Sequence, residues 1–102
     1  MKVYNKLVRD RIPEIIKSDG KHCSTYVLSD DEYIKELDKK LNEEIVEYQT
    51  DKNLEELADI LEVIQAICMA RGYSLSDLEE MRSKKAAERG GFSEKIFLEY
   101  VE

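Results

Sequence analysis

Between Leu54 and Arg71 the apolar residues Leu57, Ile60, Leu61, Val63, Ile64, Ile67 and Met69 fall on most sides of any helix drawn through them. A helix that is hydrophobic nearly all round must be covered on several sides. A chain of 102 residues has few other helices with which to cover it. A second copy of the chain is the simplest cover, so the expectation is a homodimer or homotetramer.

The preceding stretch is a second helix. Ser29 followed by Glu32 is a capping box, and Ile34, Leu37, Leu41, Ile45 and Tyr48 then recur at steps of three and four, to an end near Gln49. The break Thr50-Asp51-Lys52-Asn53 is polar and short, as the turn of an antiparallel helix pair requires.

Acids interrupt the apolar stripes of both helices. Glu44 and Glu47 stand three apart before the break, and Glu56 and Asp59 three apart after it. That spacing puts each pair on one helix face, with Cβ atoms about 5–6 Å apart, and the hairpin can bring the two faces together. Four converging carboxylates must protonate, spread into water or bind cations. Hard divalent ions suit such a set, Mg²⁺ above all, because it takes a few carboxylates together with waters and substrate phosphates. The plainer reading is a solvated acidic face, since the chain has 23 Asp and Glu residues. Glu56 has a competing role: three residues after Asn53, it can close a capping box instead. Glu43 adjoins the first pair, and its role is open.

The remainder is coarser. Asp10 is placed to cap a short helix with Pro13 in its first turn and Ile12, Ile15 and Ile16 on its apolar face, ending at Gly20. Arg9 and Arg11 read as salt-bridge formers. Residues 23–28 have strand-like content, and residues 96–101 read as a strand that pairs with them or as a terminal helical turn, with the strand favoured. Gly72 stops the apolar helix, and Ser74 caps another that carries Leu75, Leu78 and Met81 before turning basic at Arg82, Lys84, Lys85 and Arg89 and breaking at Gly90-Gly91. Lys85 and Arg89 share a face; they can complement the helix dipole or hold phosphate oxygens. The expected fold is mainly α, a helical bundle completed by oligomerisation with a short two-stranded β element, in one domain over residues 1–102.

The net charge of −7 argues against general nucleic-acid binding, because a polyanion is repelled. No apolar run reaches membrane-spanning length, and no apolar stretch follows Met1-Lys2-Val3-Tyr4-Asn5 as a secretory signal would need. Cys23 and Cys68 lack metal-ligand spacing, which points to a reduced, cytoplasmic protein. His22 is the only histidine, so sites built on several His are excluded.

Glu43-Glu44-x-x-Glu47, Glu56-x-x-Asp59, and Lys85 with Arg89 on a later helix together resemble the all-α NTP pyrophosphatase superfamily, which includes MazG-like enzymes, dimeric dUTPases and phosphoribosyl-ATP pyrophosphohydrolase. The opening Tyr4-Asn5-Lys6-Leu7-Val8-Arg9-Asp10-x-Ile12-Pro13 and the ending Arg89-Gly90-Gly91-Phe92 are similar to a small MazG-like branch regarded as house-cleaning enzymes for non-canonical nucleotides. The resemblance covers nearly the whole chain. It implies Mg²⁺-dependent hydrolysis of a nucleoside triphosphate to monophosphate and pyrophosphate, with Mn²⁺ as a substitute ion and water attacking in line. By motif, Glu44, Glu47, Glu56 and Asp59 are the implied metal ligands. Glu44, Glu47 and Lys85 are the implied catalytic residues, and Lys6, Arg9, Lys85 and Arg89 the implied substrate contacts. The family often carries an Asn shortly before the Lys; Ser83 stands here, so the contact such an Asn makes is not carried over. The alternatives are a phosphoribosyl-ATP pyrophosphohydrolase, which the two ends of the chain fit less well, and a non-catalytic nucleotide-binding helical module.

Overall fold

The computed structural model describes residues 1–102 as four helices: α1 (Ile12–Ser18), α2 (Asp30–Asp51), α3 (Leu54–Ala70) and α4 (Leu75–Arg89). The fold is a helical bundle, as expected.

α2 begins where its sequence says it should. The Ser29 hydroxyl accepts the Glu32 backbone N–H at 3.3 Å, and the Glu32 carboxylate reaches back to Ser29. At 22 residues it is about 33 Å long. It runs two residues past Gln49, and Lys52 then takes the left-handed conformation (φ 55°) and donates its backbone N–H to the Tyr48 carbonyl at 2.8 Å. Asn53 caps α3 at once by accepting the Glu56 backbone N–H at 3.0 Å. Only Lys52 and Asn53 separate the two long helices, which pack side by side as an antiparallel hairpin.

α3 ends at Ala70 with Arg71 as its C-cap, and Gly72 (φ 87°) turns the chain in a region that disfavours side chains. The Cys68 thiol donates to the Ser74 carbonyl at 3.3 Å across this turn. A second capping box, Ser74 with Asp77, starts α4. α4 packs on α3 and not on α2.

Two expectations are corrected. Arg11, not Asp10, is the N-cap of α1, and it makes no side-chain cap bond. The helix begins at Ile12, which leaves Asp10 one residue too early for its carboxylate to serve as the cap. Residues 23–28 and 96–101 form no strands and do not pair. Their β-branched and aromatic content favours extended backbone, but a strand also needs a ladder partner, and both segments, apart from the half-buried Leu28, lie exposed.

The core is small. Leu37, Val63, Cys68 and Glu44 are the only buried residues. The accessible surface is 9474 Å², against about 5,900 Å² for a compact monomer of this mass. The radius of gyration is 18.0 Å, against about 13 Å for a compact chain of this length. No helix is long and apolar enough to cross a membrane.

Candidate metal centre

The hairpin brings the four paired acids together. Each of Glu44, Glu47, Glu56 and Asp59 offers an oxygen, and these oxygens all lie within 4.8 Å of one another. Glu44 and Glu47 come from α2 and Glu56 and Asp59 from α3. The i, i+3 spacing on each helix supplies the shared face, and the two-residue connection sets the faces opposite each other.

Glu44 is 6% exposed. One of its oxygens lies 3.3 Å from the Lys40 ammonium, which is also 3.5 Å from Glu43. The other, Oε2, is buried with no hydrogen-bond partner, and so is Oε2 of Glu56. Buried carboxylate oxygens are ordinarily satisfied, and an orphan is energetically unfavourable. Glu56 has resolved its two competing roles. Its backbone N–H goes to Asn53, but its carboxylate does not return to close the box and belongs to the acid cluster instead.

The electrostatics follow. Desolvation, above all, raises the Glu44 carboxyl above the ordinary glutamate range; the neighbouring Glu47 carboxylate adds to this, and Lys40 opposes it. The Glu56 carboxyl is also raised, first by desolvation and then by Glu47, Asp59 and Asp51. A divalent cation would satisfy the orphaned oxygens and favour the ionised form of both groups. The donor set, all carboxylate oxygen, fits Mg²⁺ or Mn²⁺.

Arg9 lies at the cluster too. Its Nη2 donates to Asp59 Oδ1 at 2.7 Å, so the salt-bridge reading of this residue holds. The remaining expected substrate contacts form no ion pair with these acids. The Lys6 ammonium sits 5.4 Å from the Tyr4 ring centroid. Lys85 and Arg89 are exposed on α4 and make no ion pair or hydrogen bond. One chain therefore does not bring these two cations into contact with its own acids. Neighbouring Arg82 is held by Glu79 at 2.8 Å.

Lys40 is the participant that the motifs did not flag. Its signal was present, because a Lys four residues before Glu44 and three before Glu43 faces both on a helix. No local signal announced the Arg9–Asp59 pair, whose members are 50 residues apart.

No family model matches the chain, and no solved structure matches it. It is similar to a protein of Mycolicibacterium smegmatis described as an uncharacterized protein, with 55% identity over 42 residues. Those residues are 41% of this chain and 43% of that protein, so the chain matches less than half the length of this relative.

Proposed function

We propose that the chain is a Mg²⁺-dependent nucleoside triphosphate pyrophosphohydrolase that cleaves NTP to NMP and pyrophosphate, in the manner of the MazG-like house-cleaning enzymes its motifs resemble. The observation that carries this reading is the pair of buried, partnerless carboxylate oxygens, Glu44 Oε2 and Glu56 Oε2, inside a cluster of four acids. Such an arrangement is unfavourable for an empty core and suited to a bound cation.

Glu44, Glu47, Glu56 and Asp59 would hold the ion. Bound Mg²⁺ would neutralise phosphate oxygens and make the phosphorus more electrophilic. Lys40 fixes one oxygen of Glu44 and leaves the other turned inward. Lys85 and Arg89 form no ion pair or side-chain hydrogen bond within the chain, which leaves both free for phosphate oxygens, Arg by a forked contact and Lys by a point contact.

The assembly belongs to the same reading. Compared with a compact monomer, roughly 3,500 Å² of extra surface is exposed, well above the approximately 1,000 Å² per partner of a large stable interface. Leu54, Leu57 and Leu61 on α3 are among the exposed apolar residues. A homodimer or homotetramer would cover them.

The deciding experiment is a panel of canonical, oxidised, deaminated and methylated NTPs, assayed with Mg²⁺ or Mn²⁺ for pyrophosphate. Release from at least one is expected, and none from any would end the hydrolase reading. A second reading, a non-catalytic nucleotide-binding module, is favoured by one observation: Lys85 and Arg89 do not join the acids within one chain. Nucleotide binding without turnover would select it.

A further inference from the structure

The acid cluster carries two built-in cations, and they are held differently. Lys40 projects from the same helix as Glu44, four residues away, and its side chain is only 17% exposed. It is fixed by helix geometry and cannot leave without uncovering a buried carboxylate. Arg9 reaches Asp59 from outside the hairpin, across 50 residues of sequence, and its side chain is 56% exposed. Its guanidinium can exchange Asp59 for water at little cost, as exposed ion pairs do. Glu47 and Glu56 have no cationic partner. Lys40 is shared between Glu44 and Glu43, and Arg9 sits on Asp59, so five acids meet two cations and the cluster keeps a surplus of negative charge for a divalent ion.

We propose that Arg9 is a tethered counter-ion of this cluster: it neutralises Asp59 while no divalent cation is bound, and yields that carboxylate when one enters. The proposal rests on the cation-binding reading above. A dication and a guanidinium sharing one carboxylate repel each other, so the weaker-held charge leaves. The freed guanidinium then stands beside the ion, where an anionic phosphate would meet both. Arg9 thus opposes the cation when it comes alone and assists it when it comes with a phosphate ligand.

The test is calorimetry on the full chain with two probes, Mn²⁺ alone and inorganic pyrophosphate at saturating Mg²⁺. Arg9→Gln is expected to bind Mn²⁺ about fivefold more tightly, the scale of one exposed ion pair removed. The same variant is expected to bind pyrophosphate about tenfold more weakly, through loss of a charge-assisted contact. Arg9→Lys, which keeps the charge, is expected to stay near the wild type for Mn²⁺. Arg11→Gln, which removes a nearby charge that has no acidic partner, controls for net charge and is expected to leave both affinities unchanged. A residue that merely held the fold together would shift both affinities in the same direction, and that result overturns the proposal, as does unchanged or weaker Mn²⁺ binding by Arg9→Gln. Failure of the wild type to bind Mn²⁺ would instead remove the cation site itself, and the role of Arg9 with it.

Discussion

The α2–α3 hairpin and the α4 region are built to different degrees of completeness. The hairpin is capped at each of its starts, joined by two residues, and packed so that it buries Leu37, Val63 and Glu44. α4 has an equally good capping box but buries none of its residues, and the apolar side chains that follow it, from Phe92 to Val101, lie in water. Local signals are as strong in one as in the other. What differs is the presence of a second surface within the same chain. Helix formation is therefore set locally in both regions, while the hairpin alone packs a buried seam between its helices and still leaves an outer apolar face uncovered.

The largest expected effect breaks the hairpin's chemistry without breaking the hairpin. Glu47→Ala should lower Mg²⁺-dependent pyrophosphate release by at least about a hundredfold, on the scale of lost metal-site residues. It should also leave helicity by circular dichroism intact and the melting temperature without metal unchanged or higher, because one of the charges that repel Glu44 and Glu56 is gone. A variant that keeps its full rate would count against the site.

The next effect probes the outer, uncovered face of the hairpin. Leu57 and Leu61 are each about half exposed in the single chain. Changing both to Asp would be nearly neutral if α3 faced water there. If a second copy covers them, the pair should dissociate the assembly in sedimentation experiments and make the melting temperature fall. Wild-type protein that sediments as a monomer at all concentrations would leave the apolar face of α3 without a partner copy.

A third effect depends on pH. The Glu44 and Glu56 carboxyls hold their protons more tightly in the folded chain than in the unfolded chain. Their contribution to stability is therefore present below the ordinary glutamate value and is lost as pH rises through it to the raised folded values. A divalent ion works against this loss. The rise in melting temperature on adding Mg²⁺ should be larger at pH 7.5 than at pH 5, and equal rises would argue that the ion binds elsewhere. The smallest expected effect concerns the joint between the helices: Asn53→Ala should destabilise the chain by about 1 kcal/mol, seen as a drop of a few degrees in a thermal melt.

Much of the hairpin was legible from residue spacing, because capping signals, apolar steps and paired acids all agreed on the same two helices. The fate of Glu56 was not, since Asn53 offered it an equally local partner; the packing of α2 against α3 decided it. Arg9 could be read as a salt-bridge former, but Asp59 could not be named as its partner from positions 50 apart. The strand reading of residues 23–28 and 96–101 failed for the same reason that α4 remains uncovered: composition describes what a segment prefers and not what lies beside it. Lys85 and Arg89 share a helix face as expected, yet one chain alone does not bring them to the acids.

The left-handed backbone at Lys52 has one more implication. With only that residue and Asn53 between the long helices, the rotational phase of α3 against α2 is fixed by counting. Inserting one residue between Asn53 and Glu56 would turn the downstream helix by about 100° relative to its cap and swing Glu56 and Asp59 away from Glu44 and Glu47, with every side chain still present. The site is therefore more vulnerable to a change in the number of residues at this joint than to most changes in their identity.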